Sequence, residues 1–253
     1  MRKPSLGVLV ILLGVCALAV TAVAATNEVP SSDWTGFYTL SRDRELAPLG
    51  LKNVNMDLDK TIGAHLQPWA KAKMEMTDGN ADDTGAVCLP DGIFRNPPFA
   101  GRFLWLPAKD HITVVFHEIN TAGVRRIYLN REHPRNLLPT WNGDSIGKWD
   151  AGTLVVDTAG FNDKSWLMSG MEPHTEETHM IERMRTVKDG AYFEIVTVVE
   201  DRHALTSAYT YTRYYKKQKD EITENICGDE IQIWKDWRNK ALKPQYERAR
   251  QVK

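Results

Sequence analysis

Residues 145–161 read SIGKWDAGTLVVDTAGF, and this stretch decides the fold. The triplet DAG separates the run SIGKW from the run TLVVDTAGF, and Gly152 in the triplet can adopt a positive φ. Two strand-like runs joined by a short turn that contains glycine are typical of an antiparallel hairpin. The sequence therefore predicts two paired strands here.

The same pattern recurs on both sides of this hairpin. Downstream, THMIERMRTV and AYFEIVTVVE flank the turn KDG, and AYTYTRYYKK and ITENIC follow them. Upstream, RFLWLPAKDHITVVFHEI and VRRIYLN have the composition of strands, and DWTGFYTL near the N-terminus is a strand or a strand entry. A succession of short strands with short turns predicts a mainly β, antiparallel, barrel-like fold of the lipocalin or calycin kind over residues 99–227.

Helical segments are predicted on either side of the barrel. Residues 57–77 carry helix formers, with Ile62, Leu66 and Trp69 at helical spacing. Pro68 either kinks this helix or starts a second one. Residues 230–250 form a second helical stretch, so residues 26–253 are expected to fold as a single β-rich domain with a C-terminal helix.

The N-terminus has the pattern of a secretory signal peptide. Arg2 and Lys3 precede an apolar run that ends in small residues near Ala24 and Ala25, so residues 1–25 are expected to be removed on export. The alternative is an uncleaved membrane anchor, for which the run is short. The location that follows is periplasmic or secreted. A formal net charge of −1 gives no electrostatic reason to expect a nucleic acid or an anionic membrane as partner.

Two cysteines remain once the signal peptide is removed. Of the 3 cysteines in the chain, Cys88 and Cys227 lie in the mature part. An even pair in an exported protein predicts a disulfide, which would stabilise the domain by about 4–5 kcal/mol in the loop-entropy model. Two separate buried thiols are the alternative.

Residues 143–147, GDSIG, match the G-x-S-x-G string of serine hydrolases. A nucleophile elbow needs a strand before the serine and a helix after it. Here a proline-punctuated loop precedes Ser145 and a strand follows it. The string is therefore interpreted as the turn that enters the hairpin, and a serine hydrolase is disfavoured.

Five short blocks follow one another along the chain: QPWAKAK at 67–73, CLPDGIFR at 88–95, REHP at 131–134, residues 145–166, and PHTEETHMIERMR at 173–185. Together with the late Cys227, this series resembles a family of exported bacterial proteins of unassigned function. The resemblance covers most of the mature domain but implies no reaction. Two positions differ, since the family often has His where Asp144 stands, and its Asp-Pro-x-x-Tyr segment is replaced here by EDRHALTSAY.

Three residues are the candidates for acid–base catalysis. Asp157 and Glu182 each stand between apolar neighbours in a predicted strand, where a carboxylate is either paired or functional. His174 follows Pro173 at the entry to a strand, and imidazole is the usual acid or base near neutral pH. Structural salt bridges and a capping histidine are the alternatives.

Tyr128, Trp166, Tyr211 and Arg213 are the candidate ligand-binding residues, as aromatic or cationic side chains in or beside predicted strands. The set His174, Glu177, His179 and Glu182 also suggested a zinc site. However, the two histidines are not spaced for one helix or strand face, and no H-E-x-x-H occurs. The prediction is that the protein uses neither a metal nor a cofactor.

The function predicted from these features is that of an exported protein with a pocket for a small apolar or aromatic molecule. In its enzymatic form it would be a cofactor-independent lyase, hydratase or isomerase. A non-catalytic carrier and a structural envelope protein are the alternatives. No membrane span is predicted after signal cleavage.

Overall fold

The structure is a computed structural model that describes residues 34–54, 62–79, 82–99, 101–116, 123–168, 170–219 and 222. Within these ranges nine strands close into a barrel in sequence order, which confirms the predicted barrel-like, mainly β fold. The strands are β1 (Gly36–Leu40), β2 (Arg102–Pro107), β3 (His111–Phe116), β4 (Val124–Tyr128), β5 (Asp144–Asp150), β6 (Thr153–Ala159), β7 (His179–Val187), β8 (Tyr192–Glu200) and β9 (Tyr209–Gln218).

All neighbouring strands run antiparallel except β4 and β5. In that pair Ile127 lies opposite Ser145, and Tyr128 lies opposite Ile146, in parallel register. Parallel neighbours need a long connection. Here residues 129–143 make that connection, and they place residues 131–133 beside the outer face of β5 and β6.

The barrel begins earlier in the chain than the predicted range 99–227. Strand β1 pairs with both β2 and β9, so that Tyr38 lies opposite Phe103 on one side and Lys217 on the other. The sequence indicated a strand entry near Gly36 but not its place in the barrel. The reason is that both partners of β1 are distant in sequence and no hairpin turn links them to it.

The predicted hairpin of β5 and β6 forms as expected. Asp150 lies opposite Thr153, and the two turn residues Ala151 and Gly152 both have positive φ, at 47° and 81°. Positive φ at both central positions is the pattern of a type I′ turn, whose twist matches that of the strands it joins. The second predicted hairpin, β7–β8, turns through residues 188–191.

Three α-helices lie wholly within the described part of the chain: α1 (Asp43–Leu46), α2 (Pro68–Met76) and α3 (Gly92–Phe99). Pro68 is at the start of α2, so it begins a helix instead of kinking one. Helix α2 contacts the β8–β9 connection, where the Trp69 indole donates to the carbonyl of His203 at 2.6 Å. Among the described helices, none is long and apolar enough to cross a membrane.

Several predictions fall on parts of the chain that are not described. The signal peptide (1–25), residues 57–61 of the helical segment, the C-terminal helix (230–250) and Cys227 all lie outside the described ranges. Cys88 is disulfide-bonded. Its pairing with Cys227 stays a prediction.

Inward and outward side chains alternate along β6, the second strand of the hairpin. In β6, Leu154, Val156 and Thr158 are buried and point into the barrel, whereas Val155 and Asp157 point outward and are partly exposed. Most of the buried apolar side chains of the strands pack with those of the neighbouring helices into one large cluster. Each fully buried aliphatic side chain contributes about 1.5–3 kcal/mol to folding.

Candidate functional site

His174 lies buried in the connection between β6 and β7, where it is 2% exposed. Its Nδ1 is 3.2 Å from the carbonyl oxygen of Thr175, which can only accept, so Nδ1 carries the proton. Nε2 then accepts from the Ser165 hydroxyl at 3.1 Å. Burial lowers the pKa of His174 to about 4. The ring is thus neutral near pH 7 and ties two parts of the connection together.

Glu182 points into the barrel and forms an ion pair with Arg125, with Oε2 2.5 Å from Nη2. The same guanidinium donates to the Ser145 and Thr158 hydroxyls, each at 2.9 Å. All four residues are at most 3% exposed. They form a buried polar layer, in which Glu182 has a structural partner.

The same layer explains the G-x-S-x-G string. Ser145 contacts Arg125 and Thr158, and among the described residues no histidine contacts its hydroxyl. Gly143 has a φ of 64°, and Gly147 faces inward where a Cβ would lie 2.9 Å from Cγ2 of Ile127. Both glycines are needed for backbone geometry and close packing, so the interpretation of the string as a turn and strand entry fits the structure.

Asp157 lies on the outer face of the sheet, since its neighbours Val156 and Thr158 point inward. Val156 is the residue opposite Glu182, so the carboxylates of Asp157 and Glu182 project from opposite faces. His174 belongs to a third location, in the β6–β7 connection. The structure therefore places His174, Glu182 and Asp157 in three separate locations and does not bring them together, so that a catalytic role for each of them stays a prediction.

The four predicted ligand-binding residues also divide between locations. Tyr211 and Arg213 are buried on β9 and face the interior with Thr197 and Ile195 opposite them, and burial raises the pKa of Tyr211. Tyr128 is at the outer face, with the guanidinium of Arg131 at 3.9 Å from its ring centroid. Trp166 lies in the β6–β7 connection, under Arg95. They do not line one pocket.

The outer face of β5 and β6 carries a groove of about 330 Å³. Its lining residues are Arg131, Glu132, His133, Ile146, Lys148, Val155 and Asp157. Asp157 is the one predicted catalytic residue among them. The others come from β5, β6 and residues 131–133, which the parallel β4–β5 connection brings to this face.

His133 is held in the groove by two carboxylates. Its Nδ1 is 2.7 Å from Oδ2 of Asp144, and its Nε2 is 3.2 Å from Oδ1 of Asp157. Arg131 donates to the other oxygen of Asp144. Carboxylates accept hydrogen bonds, so a His133 nitrogen that bonds to either aspartate is the donor.

Asp157 is shared by two histidines. The Nε2 of His179 is 2.8 Å from the same Oδ1 that faces His133. Partial burial raises the pKa of Asp157, but the hydrogen bonds from His179 and His133 outweigh that effect and hold the pKa below its usual range. Asp157 is therefore an ionised acceptor between two imidazoles.

His179 also lines a second groove of about 420 Å³ beside the first. Its other lining residues are Leu137, Pro139, Ala159, Gly160, Phe161, Glu176, Glu177 and Thr178. The chain of contacts from His133 through Asp157 to His179 thus links two neighbouring grooves.

His133 was not among the site residues predicted from the sequence. It appeared only as part of the block REHP and as one of several histidines before Ser145. The available signal was the short distance in sequence between His133 and Asp144. In the described part of the chain, no three His, Cys, Asp or Glu side chains are arranged to hold a metal ion.

No family model matches the chain, and no curated protein matches it either. Among solved structures, it is similar to the REP1-NXSQ fatty acid transporter, with 11% identity and a TM-score of 0.38 over 76% of this chain and 100% of that one. A point mutant of that transporter matches with 11% identity and a TM-score of 0.34 over 74% of this chain and 100% of that one. At this level of similarity the likeness says nothing about what this chain binds.

Proposed function

We propose that the protein binds a small amphipathic molecule in the outer groove and that His133 and Asp157 transfer protons to and from it. The observation that carries this proposal is the position of His133 in the groove lining, held by Asp144 on one nitrogen and facing Asp157 with the other. The predicted acid–base chemistry is thereby assigned to His133 and Asp157, in place of His174 and Glu182.

The groove lining suggests the class of ligand. Ile146 and Val155 offer an apolar surface, while Lys148 and Arg131 supply positive charge. A volume of about 330 Å³ is at the lower end of the range for small-molecule sites. The ligand we infer is a small molecule with an apolar or aromatic body and an anionic group.

The chemistry that this arrangement supports is proton transfer in both directions. Asp144 fixes the orientation of the His133 ring, as the carboxylate does in other Asp–His pairs. For an enolisable carbonyl compound, Asp157 would take the proton from the carbon next to the carbonyl, and His133 would give its Nε2 proton to the carbonyl oxygen. The enol is released as the product, and the proton taken by Oδ1 of Asp157 passes to Nε2 of His133, 3.2 Å away, which restores both side chains. The reaction class is an isomerisation that needs no cofactor.

The binding part is tested with 8-anilinonaphthalene-1-sulfonate, a fluorescent aromatic anion. We expect Lys148→Glu to weaken its binding about ten-fold or more, since the substitution replaces attraction by repulsion at short range. The matched control is Lys216→Glu, which reverses the charge of another outward lysine, on β9. If both variants bind the probe as the unchanged protein does, the groove is not the site.

The proton-transfer part is tested with phenylpyruvate, an aromatic, anionic and enolisable compound, by following keto–enol conversion in ultraviolet absorbance. We expect His133→Gln to remove at least about 90% of the rate above buffer, as general acid catalysis typically supplies a factor of a hundred or more. His111→Gln is the control, since His111 also contacts an aspartate at 2.7 Å but lies outside the groove. If the protein binds phenylpyruvate but does not accelerate its conversion, it is a non-catalytic carrier.

Export is part of the same proposal. It is supported by the signal-peptide pattern of residues 1–25 and by two cysteines in the mature part of the chain. N-terminal sequencing of the protein from a periplasmic fraction should find a start at residue 25 or 26, or Met1 if the segment is retained. Thiol titration of the denatured protein should find no free thiol if Cys88 pairs with Cys227.

A further inference from the structure

A second site is suggested inside the barrel, on the face of β5 opposite to the groove. Trp149 on β5 and Trp105 on β2 both point inward, and Trp34 lies next to both of them. The ring centroid of Trp34 is 5.0 Å from that of Trp149, 6.1 Å from that of Trp105 and 5.0 Å from that of Phe193. Trp34 is thus at the centre of an aromatic cluster built by three different strands.

Two donors in this cluster lack an acceptor. The indole nitrogens of Trp105 and Trp149 are buried, and neither has a hydrogen-bond partner among the described residues. The two side chains are 1% and 7% exposed. Buried polar groups are nearly always paired, so two unpaired N–H groups in one cluster call for a further acceptor.

Trp34 reaches the cluster in a different way from its neighbours. Trp105, Trp149 and Phe193 are fixed by their strands, whereas Trp34 precedes β1 and belongs to no strand. Its carbonyl oxygen accepts a hydrogen bond from the Tyr38 hydroxyl at 3.0 Å. Its indole is held by ring contacts, mostly edge-to-face, which is also how a separate aromatic molecule would be held.

We propose that Trp34 is the internal occupant of an aromatic ligand site, which takes a planar bicyclic molecule with a hydrogen-bond acceptor when Trp34 moves out. Such a ligand would keep the ring contacts with Trp105, Trp149 and Phe193 and would supply the acceptor that Trp34 does not. This site is independent of the outer groove. Its ligand is defined by shape and by an acceptor atom, without a requirement for charge.

The first test removes the occupant. Trp34→Ala opens a space of indole size lined by aromatic rings, and apolar cavities of about 150 Å³ bind small aromatic molecules. Benzimidazole and indole are the probes, because they share one shape and only benzimidazole has an acceptor nitrogen. By calorimetry at pH 8, we expect Trp34→Ala to bind benzimidazole about ten-fold more tightly than the unchanged protein does, since the occupant no longer competes. Trp69→Ala, which removes a partly exposed tryptophan on α2, should change nothing.

The comparison of the two probes tests the unpaired donors. In Trp34→Ala, benzimidazole should bind at least about five-fold more tightly than indole, as expected for one hydrogen bond to a buried donor. Adding Trp105→Phe and Trp149→Phe removes both donors and should abolish this preference. Equal affinity of the two probes, or equal benzimidazole affinity of Trp34→Ala and the unchanged protein, would overturn the proposal.

The second test uses the unchanged protein, so it does not depend on the folding of a variant. The full chain is labelled with 5-fluorotryptophan, and Trp34→Phe identifies the ¹⁹F signal of Trp34 among those of the 8 tryptophans. Benzimidazole at millimolar concentration should move the Trp34 signal with saturation and leave that of Trp69 in place. If the Trp34 signal stays fixed, Trp34 is a permanent part of the core and the proposal is wrong.

Discussion

The two faces of the β5–β6 hairpin carry the same kinds of charged group in opposite surroundings. On the inner face, Glu182 of the adjacent β7 pairs with Arg125, and both side chains are at most 4% exposed. On the outer face, Asp157 pairs with His133, and these side chains are 49% and 26% exposed. The inner pair is buried, whereas the outer pair lines a groove. Burial, and not residue type, separates the structural carboxylate from the one proposed to transfer protons.

The largest effect is expected where the inner pair is broken. Glu182→Ala leaves Arg125 buried without its counter-charge, which costs about 3–5 kcal/mol of unfolding free energy. Urea denaturation measures this loss. The control is Asp150→Ala, which removes the partner of Arg183 from an ion pair whose side chains are 64% and 52% exposed. That change should cost at most about 1 kcal/mol. Equal losses in the two variants would contradict the distinction between the faces.

The positions of these carboxylates show what the sequence could and could not predict. Alternation along TLVVDTAGF and HMIERMRTV indicated that Asp157 and Glu182 lie in strands, and the turns DAG and KDG indicated how each strand is paired. Whether the two carboxylates share a face depends on the register between β6 and β7, in which Val156 and not Asp157 lies opposite Glu182. A shift of one residue would reverse this result, and no local signal fixes it.

The groove was harder to predict than the barrel. His133 belongs to a connection with no periodic pattern, and its position beside Asp157 depends on the parallel pairing of β4 with β5. That pairing spans only two residue pairs, so strand composition gives little indication of it. The burial of His174 could not be predicted for a similar reason. It depends on how the β6–β7 connection folds against α3, where Phe94 contacts the imidazole ring.

A second prediction concerns the buried His174, which contrasts with the partly exposed His133. Its pKa is lowered from 6.5 to about 4 by burial, so the unfolded chain binds a proton at a higher pH than the folded protein does. The stability from His174 is complete above about pH 6.5 and is lost as the pH falls towards 4, with a total of about 3 kcal/mol. Urea denaturation at several pH values should show this slope.

The variant His174→Gln should remove this pH dependence between 6.5 and 4, whatever its effect at pH 7. His65→Gln is the control, because His65 lies near the surface with its Nδ1 2.7 Å from the Ser207 hydroxyl. It should keep the slope. A slope that persists in His174→Gln would show that other groups cause the acid sensitivity, and that His174 is not held neutral by burial.

A smaller effect is expected for Ser145, which belongs to the buried polar layer around Arg125. Ser145→Ala removes one acceptor from Arg125 but leaves Thr158 and Glu182 in place, so we expect a loss of about 1–2 kcal/mol in unfolding free energy. Phenylpyruvate conversion should stay within about two-fold of the unchanged protein, since the groove lies on the other face of the sheet. Loss of conversion without loss of stability would assign a chemical role to Ser145 after all.

The smallest effect on stability, combined with the clearest effect on chemistry, is expected for Asp157. Asp157→Asn keeps the shape of the side chain but removes the charge that accepts from His133 and His179. The side chain is 49% exposed, so water screens these contacts and the unfolding free energy should change by at most about 1 kcal/mol. Because the pKa of Asp157 is lowered, its small contribution is present above the unfolded pKa and is lost as the pH falls through the lower folded value.

Phenylpyruvate conversion should nevertheless fall at least about ten-fold, as the base is gone. A variant that loses stability in proportion to activity would place Asp157 with Glu182, as a structural carboxylate on the outer face.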